Sequence, residues 1–193
     1  AWWGCVPRVR FEAKTQIFQE RLRNMTSEIK TNIFVDRSKW GPGPWDKEPD
    51  EWFWYDESTS YLCLVRRHPM AGTLCGYVGV GQGNPLFKKA YDPANITEEE
   101  FDTWNNLQVH GGVSFAGKIR WGSDEMSPET RPGELPPNNG CWWIGFDCTH
   151  FGDGGPGEWT VGGLEDYKGF DYVQDQVTLL ALQLEKLRLE AKS

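Results

Sequence analysis

The sequence has no apolar run close to the roughly 18 residues that a bilayer-spanning helix needs. No membrane association is therefore expected. No secretory leader is legible at its start, and the expected location is the cytoplasm of a bacterial or phage-infected cell. Five cysteines stand at positions 5, 63, 75, 141 and 148, with no CxxC pair among them. An odd, scattered set is unlike the framework of a disulfide-stapled secreted domain. Positive charge is also in short supply. Lys and Arg number 20 against 28 Asp and Glu, for a net charge of -8 and a pI near 4.9. General nucleic-acid binding calls for a basic face, so it is not expected here.

Several catalytic and nucleotide signatures are missing as well. There is no P-loop and no HExxH helix. Gly79–Gly83, GVGQG, follows a strand-like run, but the text after it holds Pro85 and no long amphipathic helix to meet a pyrophosphate. GVSFA misses the nucleophile elbow, because Ala116 stands where the second glycine belongs. The N-x-T triplets at Asn24 and Asn95 are read as chance.

What is present is aromatic. Hydrophobic residues make up 38% of the 193 residues and include 11 Trp, which indicates a folded globular chain with indoles in its core. The length suits one domain over residues 1–193. Phe18, Leu22, Met25, Ile29 and Ile33 form a helical stripe and predict an amphipathic helix over residues 10–31. GPGPWDKEP, residues 41–49, reads as a loop. EWFWYDE, TSYLCLVRR and TLCGYVGVG, split by turn-like text, predict a β-meander. Thr97 and Glu100 form a capping box, so a short helix should begin at Glu98. LQVHGGVSFAGKIRW is expected to run as strand, Gly-Gly bulge and strand. Residues 122–140, acidic and rich in Pro and Gly, read as a long surface loop or lid.

CWWIGFD follows as a buried strand. Val173, Val177, Leu180, Leu184 and Leu187 then mark a C-terminal helix, with Leu179, Leu182 and Leu189 read as widening its stripe. Such a stripe suits packing on a sheet better than a dimer seam. The fold class is α+β, a mainly antiparallel sheet packed by an N-terminal and a C-terminal amphipathic helix.

Two segments carry the candidate chemistry. In WWIGFDCTHFGDGG, period-two alternation puts Cys148 on the face of Trp142, Ile144 and Phe146. If the strand ends near Asp147, then Asp147, Cys148, His150 and Asp153 fall in the loop that follows. In VHGGVSFAG, His110 precedes Gly111 and Gly112, whose backbone could approach a ligand closely. Four readings are open. His110, His150, Asp147 and Asp153 could hold a divalent Zn, Mn or Fe ion. Cys148 could be a nucleophile with a histidine base. The histidines could be acid and base around a small ligand without metal. Or these polar groups could be turn caps and satisfied buried residues.

The positions His110, Gly111, Gly112, Gly145, Phe146, Asp147, His150, Gly152 and Asp153 resemble a group of small phage and bacterial proteins. These share an HGG motif, then an aromatic strand ending in GFDxxHxGD, over about residues 60–190 of this chain. The resemblance implies a phage or bacterial setting and no mechanism. Cys148 is not a fixed feature of that pattern.

Taken together, the sequence predicts one polar small-ligand pocket. His110 and His150 serve as acid, base or ligands, and Asp147 and Asp153 orient them or hold a metal. Gly111 and Gly112 bring amides to the ligand, and Arg66, Arg67 and Lys118 bind phosphate. The expected activity is hydrolysis of a nucleotide-like or phosphorylated metabolite. The alternatives are a phage-type anti-defence binder that sequesters a host nucleotide signal, and a protein inhibitor or structural protein with an acidic surface. The oligomeric state is not legible.

Overall fold

A computed structural model describes residues 35–92, 94, 97–119, 140–157 and 162–192. The helix expected over residues 10–31 lies outside the described residues, as does the expected lid apart from its last residue, Gly140.

Five strands form one sheet: β1 (Glu51–Tyr55), β2 (Leu62–Arg67), β3 (Leu74–Val80), β4 (Phe115–Gly117) and β5 (Trp142–Asp147). Their order is β1-β2-β3-β5-β4, and every pairing is antiparallel. The first three strands are the expected meander. Helix α1 (Glu98–Asn105) starts where the capping box places it. The Glu100 amide donates to Thr97 Oγ1 at 3.2 Å, and the Thr97 amide donates to Glu100 Oε2 at 3.3 Å. Residues Pro44–Lys47 form a single 3-10 turn within the expected loop and bury Trp45.

Helix α2 (Phe170–Glu190) lies on β2 and β3. Its Val173, Val177, Leu180, Ala181 and Leu184 are fully buried. Each large aliphatic among them contributes about 1.5–3 kcal/mol of burial free energy. The stripe is narrower than the leucine count suggested. Leu179, Leu182 and Leu189 are 41%, 47% and 56% exposed, because at 100° per residue they fall outside the arc that meets the sheet.

The alternation of β5 holds. Ile144, Phe146 and Cys148 join the core under α2, while Trp143 packs with Leu62, Leu64 and Ile119 on the other face. Gly76 is required where α2 crosses the sheet, since a Cβ there would lie 2.5 Å from Val177 Cγ2.

The segment before β4 departs from expectation. Residues 107–109 form no strand. Their backbone bonds instead to glutamine side chains of α2. The Gln108 amide donates to Gln183 Oε1 at 2.7 Å, and Gln183 Nε2 donates to the Gln108 carbonyl at 3.0 Å. The His110 amide donates to Gln176 Oε1 at 2.9 Å. A primary amide offers a donor and an acceptor as a peptide does, so it satisfies this backbone without a neighbouring strand.

Candidate functional site

The β4–β5 register decides which loops meet. Phe115 lies opposite Gly145 and Gly117 opposite Trp143. The segments that precede β4 and follow β5 therefore lie at the same end of that strand pair, and they carry His110 and His150. The His110 and His150 rings accordingly meet edge to face, with centroids 5.3 Å apart.

Asp153 joins them from the turn after β5. Its amide donates to the His150 carbonyl at 2.9 Å, closing the turn. Its Oδ2 accepts the His150 amide at 2.9 Å and His110 Nε2 at 2.9 Å. His150 Nδ1 stands 3.4 Å from the same oxygen, and Lys168 Nζ is 4.0 Å from Oδ1. Asp153 is 5% exposed. Burial works against its charge, but the hydrogen bonds from His110 and from the His150 amide outweigh it and hold the carboxyl below the usual carboxylate range. Asp153 is thus an anion at neutral pH, shared by two imidazoles.

Glycine makes this approach possible. Gly111 has φ +64°, and a Cβ on it would lie 2.0 Å from His150 Cε1. The His150 ring rests against bare backbone at a point where any side chain would collide with it. Gly111 therefore serves to seat His150. Gly112, at φ +85°, uses its amide on the Val109 carbonyl at 3.0 Å, which closes the turn and removes that donor from a ligand.

Two further site groups come from around the start of α2, and sequence reasoning missed both. The Tyr172 hydroxyl is 3.1 Å from His110 Nδ1, and Lys168 Nζ lies 6.0 Å from the centroid of the Tyr172 ring. Burial, with Cys148 and Asp153 nearby, pushes the Tyr172 phenol up, so it remains a donor. Tyr172, Gln176 and Gln183 lie on one edge of the apolar stripe, spaced by four and seven. That spacing of polar residues beside Val173 and Leu180 was the available signal. Next to the cluster a groove of about 300 Å³ runs between residues 47–49 and 169–172, and Tyr172 lines both.

The other expected members fall elsewhere. Asp147 is a turn cap: its Oδ1 accepts the Thr149 amide at 3.0 Å and its Oδ2 accepts the Ser114 hydroxyl at 2.7 Å. It is not among the groups converging on the histidines. Cys148 is 1% exposed inside the core, and burial, with Cys75, Asp153 and Asp147 nearby, pushes its thiol far above the usual range. Burial in the core and a raised thiol pKa both disfavour Cys148 as a nucleophile.

Arg67 is buried in a structural network. It donates to Asp50 Oδ1 at 2.7 Å, Glu48 Oε2 at 2.9 Å, the Gly72 carbonyl at 2.8 Å and the Tyr167 hydroxyl at 2.9 Å. A guanidinium so occupied is not available to phosphate. Arg66 Nε pairs with Glu51 Oε2 at 3.3 Å. Lys118 is exposed just past β4. None of the three joins the His110 cluster.

One ligand atom from each of His110, His150 and Asp153 lies within 4.8 Å of the others, so these three residues could hold a metal ion. Two imidazoles with one carboxylate can activate water, transfer protons or ligate a cation. Among the described residues no helix is long and apolar enough to cross a membrane. No protein-family model, curated protein or solved structure matches this chain.

Proposed function

We propose that the chain hydrolyses a small phosphorylated, nucleotide-like metabolite at the His110–His150–Asp153 cluster. The observation that carries this reading is the convergence of both candidate histidines on one buried carboxylate, beside a groove. Asp153 fixes the two rings from loops that the sheet holds in register. Tyr172 and Lys168 supply a hydroxyl donor and a cation at the edge of the cluster. Phe151, 95% exposed beside His150, offers a ring face on which a base can stack.

In the proposed reaction water adds across the P–O bond. The new P–O bond forms from the water oxygen, the water proton passes to the cluster, and the departing oxygen is protonated. Tyr172 holds a proton close to where such a leaving group would sit.

The test is turnover of a panel of phosphorylated nucleosides and sugars, followed by phosphate release and mass spectrometry. Turnover should appear in the native chain and fall at least about 100-fold in His110→Ala and His150→Ala. Asp147→Asn should retain it. Stoichiometric capture, with the ligand released intact on denaturation, would replace the enzyme by a binder that sequesters the same class of ligand. Neither turnover nor capture would end the small-ligand reading.

A further inference from the structure

We propose that His110 Nε2, His150 Nδ1 and Asp153 Oδ2 bind one divalent transition-metal ion of the zinc class. The proposal deepens the hydrolase reading of this cluster, but its test does not need turnover.

The spacing fits. Tetrahedral zinc with bonds of about 2.0–2.1 Å places its ligand atoms about 3.3 Å apart. Here His110 Nε2 and His150 Nδ1 stand 2.9 Å and 3.4 Å from Asp153 Oδ2. One ligand atom from each of the three residues lies within 4.8 Å of the others, and rotation of the two rings would close that spread around an ion.

His150 Nδ1 gives the independent observation. It is shielded from solvent and has no hydrogen-bond partner. Its approach to Asp153 Oδ2 is too poorly directed to count as one. A ring nitrogen shut away from water normally finds a partner, and this one faces the shared carboxylate and His110. An ion at that point would take its lone pair.

The surroundings match the outer shell of a metal site. His110 Nδ1 is 3.1 Å from the Tyr172 hydroxyl. Ion binding would displace the Nε2 proton that Asp153 accepts in the free chain; with the ring proton then on Nδ1 and donated to the Tyr172 hydroxyl oxygen, the Nε2 lone pair is free for the ion. The His110 amide is held by Gln176, which fixes the ring's origin. Asp153 Oδ2 keeps the His150 amide as a second partner, and Lys168 lies on the other oxygen, Oδ1. The ammonium therefore balances the carboxylate without occupying the ligand oxygen. Three protein ligands leave a fourth place for water or substrate, and the His150 side chain, 37% exposed, leaves that side open.

The experiment uses the tag-free full chain. Metal content is measured after purification, the chain is stripped by chelator, and the apo form is titrated with Co(II) and then with Zn(II) in competition. One ion per chain is expected, with the visible absorption of four-coordinate Co(II). His110→Ala, Asp153→Ala and His150→Asn should each weaken binding about 100-fold or more, and Tyr172→Phe by about 10- to 100-fold. Asp147→Asn should bind as the native chain does. His150 lies at the surface, so His150→Asn should keep its circular dichroism and remain informative if the Asp153 variant unfolds. No binding, or equal binding by a folded His150→Asn chain, overturns the proposal. Turnover without metal would leave the hydrolase reading standing and sink this one. Metal binding without turnover of phosphorylated ligands would do the reverse.

Discussion

Replacing Gly111 with alanine separates the geometry of the cluster from the stability of the fold. The new Cβ would lie 2.0 Å from His150 Cε1, where ordinary carbon contacts need about 3.5 Å. The ring must therefore move by about 1.5 Å. It is the end of a side chain whose exposure leaves room to swing outward, so the movement itself costs little stability. The backbone term is larger: alanine at φ +64° costs about 1–2 kcal/mol. Gly112 provides the control. It has φ +85° but nothing within 4 Å of an added Cβ, so Gly112→Ala carries the same kind of backbone strain and leaves His150 in place. Urea denaturation should thus show similar losses of about 1–2 kcal/mol in both variants. Co(II) titration should separate them, because displacing one of three ligands weakens binding about 100-fold or more while Gly112→Ala stays near the native value. Equal Co(II) affinities in the two variants would refute the seating role assigned to Gly111.

Arg67→Met should destabilise the chain by up to about 3–5 kcal/mol in chemical denaturation, because it takes one of two guanidinium partners from buried Asp50, which keeps Arg37, and the ion pair from half-buried Glu48. Its Co(II) affinity should not change if the residue is structural. Gln183→Ala removes both hydrogen bonds to Gln108, worth about 1–2 kcal/mol locally, and should speed amide exchange over residues 107–112 before any global loss of structure. Glu51 supplies a pH signature. Burial raises its carboxyl from 4.5 to about 7, despite Arg66. Between those values the folded chain holds a proton that the unfolded chain has released, so this group's contribution to stability falls as pH rises from about 4.5 to 7. The drop is at most about 3 kcal/mol, and Glu51→Gln should lack it when denaturation midpoints are compared across that window.

Local rules made much of the fold legible. The Thr97–Glu100 capping box marked the start of α1, because the signal and its partners lie within one turn. The Val173–Leu184 stripe located α2, and period-two alternation put Cys148 in the core under it. The leucine count misled at Leu179, Leu182 and Leu189, since apolar residues outside the buried arc carry no sign of their exposure. The expected strand at residues 107–109 failed for a similar reason. Its backbone found partners in Gln176 and Gln183, some 70 positions away in the chain.

The candidate site divides along the same line. The sequence by itself singled out His110, His150, Asp147 and Asp153, because histidine, a scarce residue here, and carboxylates beside glycines and a strand end form a local pattern. Which of the polar groups belong together was decided by tertiary structure alone. The pairing of β4 with β5 puts the segments carrying His110 and His150 at one end of the sheet, where their rings meet, and the start of α2 brings Tyr172 and Lys168 to the same place. The same packing commits Asp147 to Ser114 and Arg67 to Asp50 and Glu48. A side chain's chemistry is written in its residue type. Its partners depend on strand register and helix placement, which arise from the burial of the whole core and not from any short stretch of the chain.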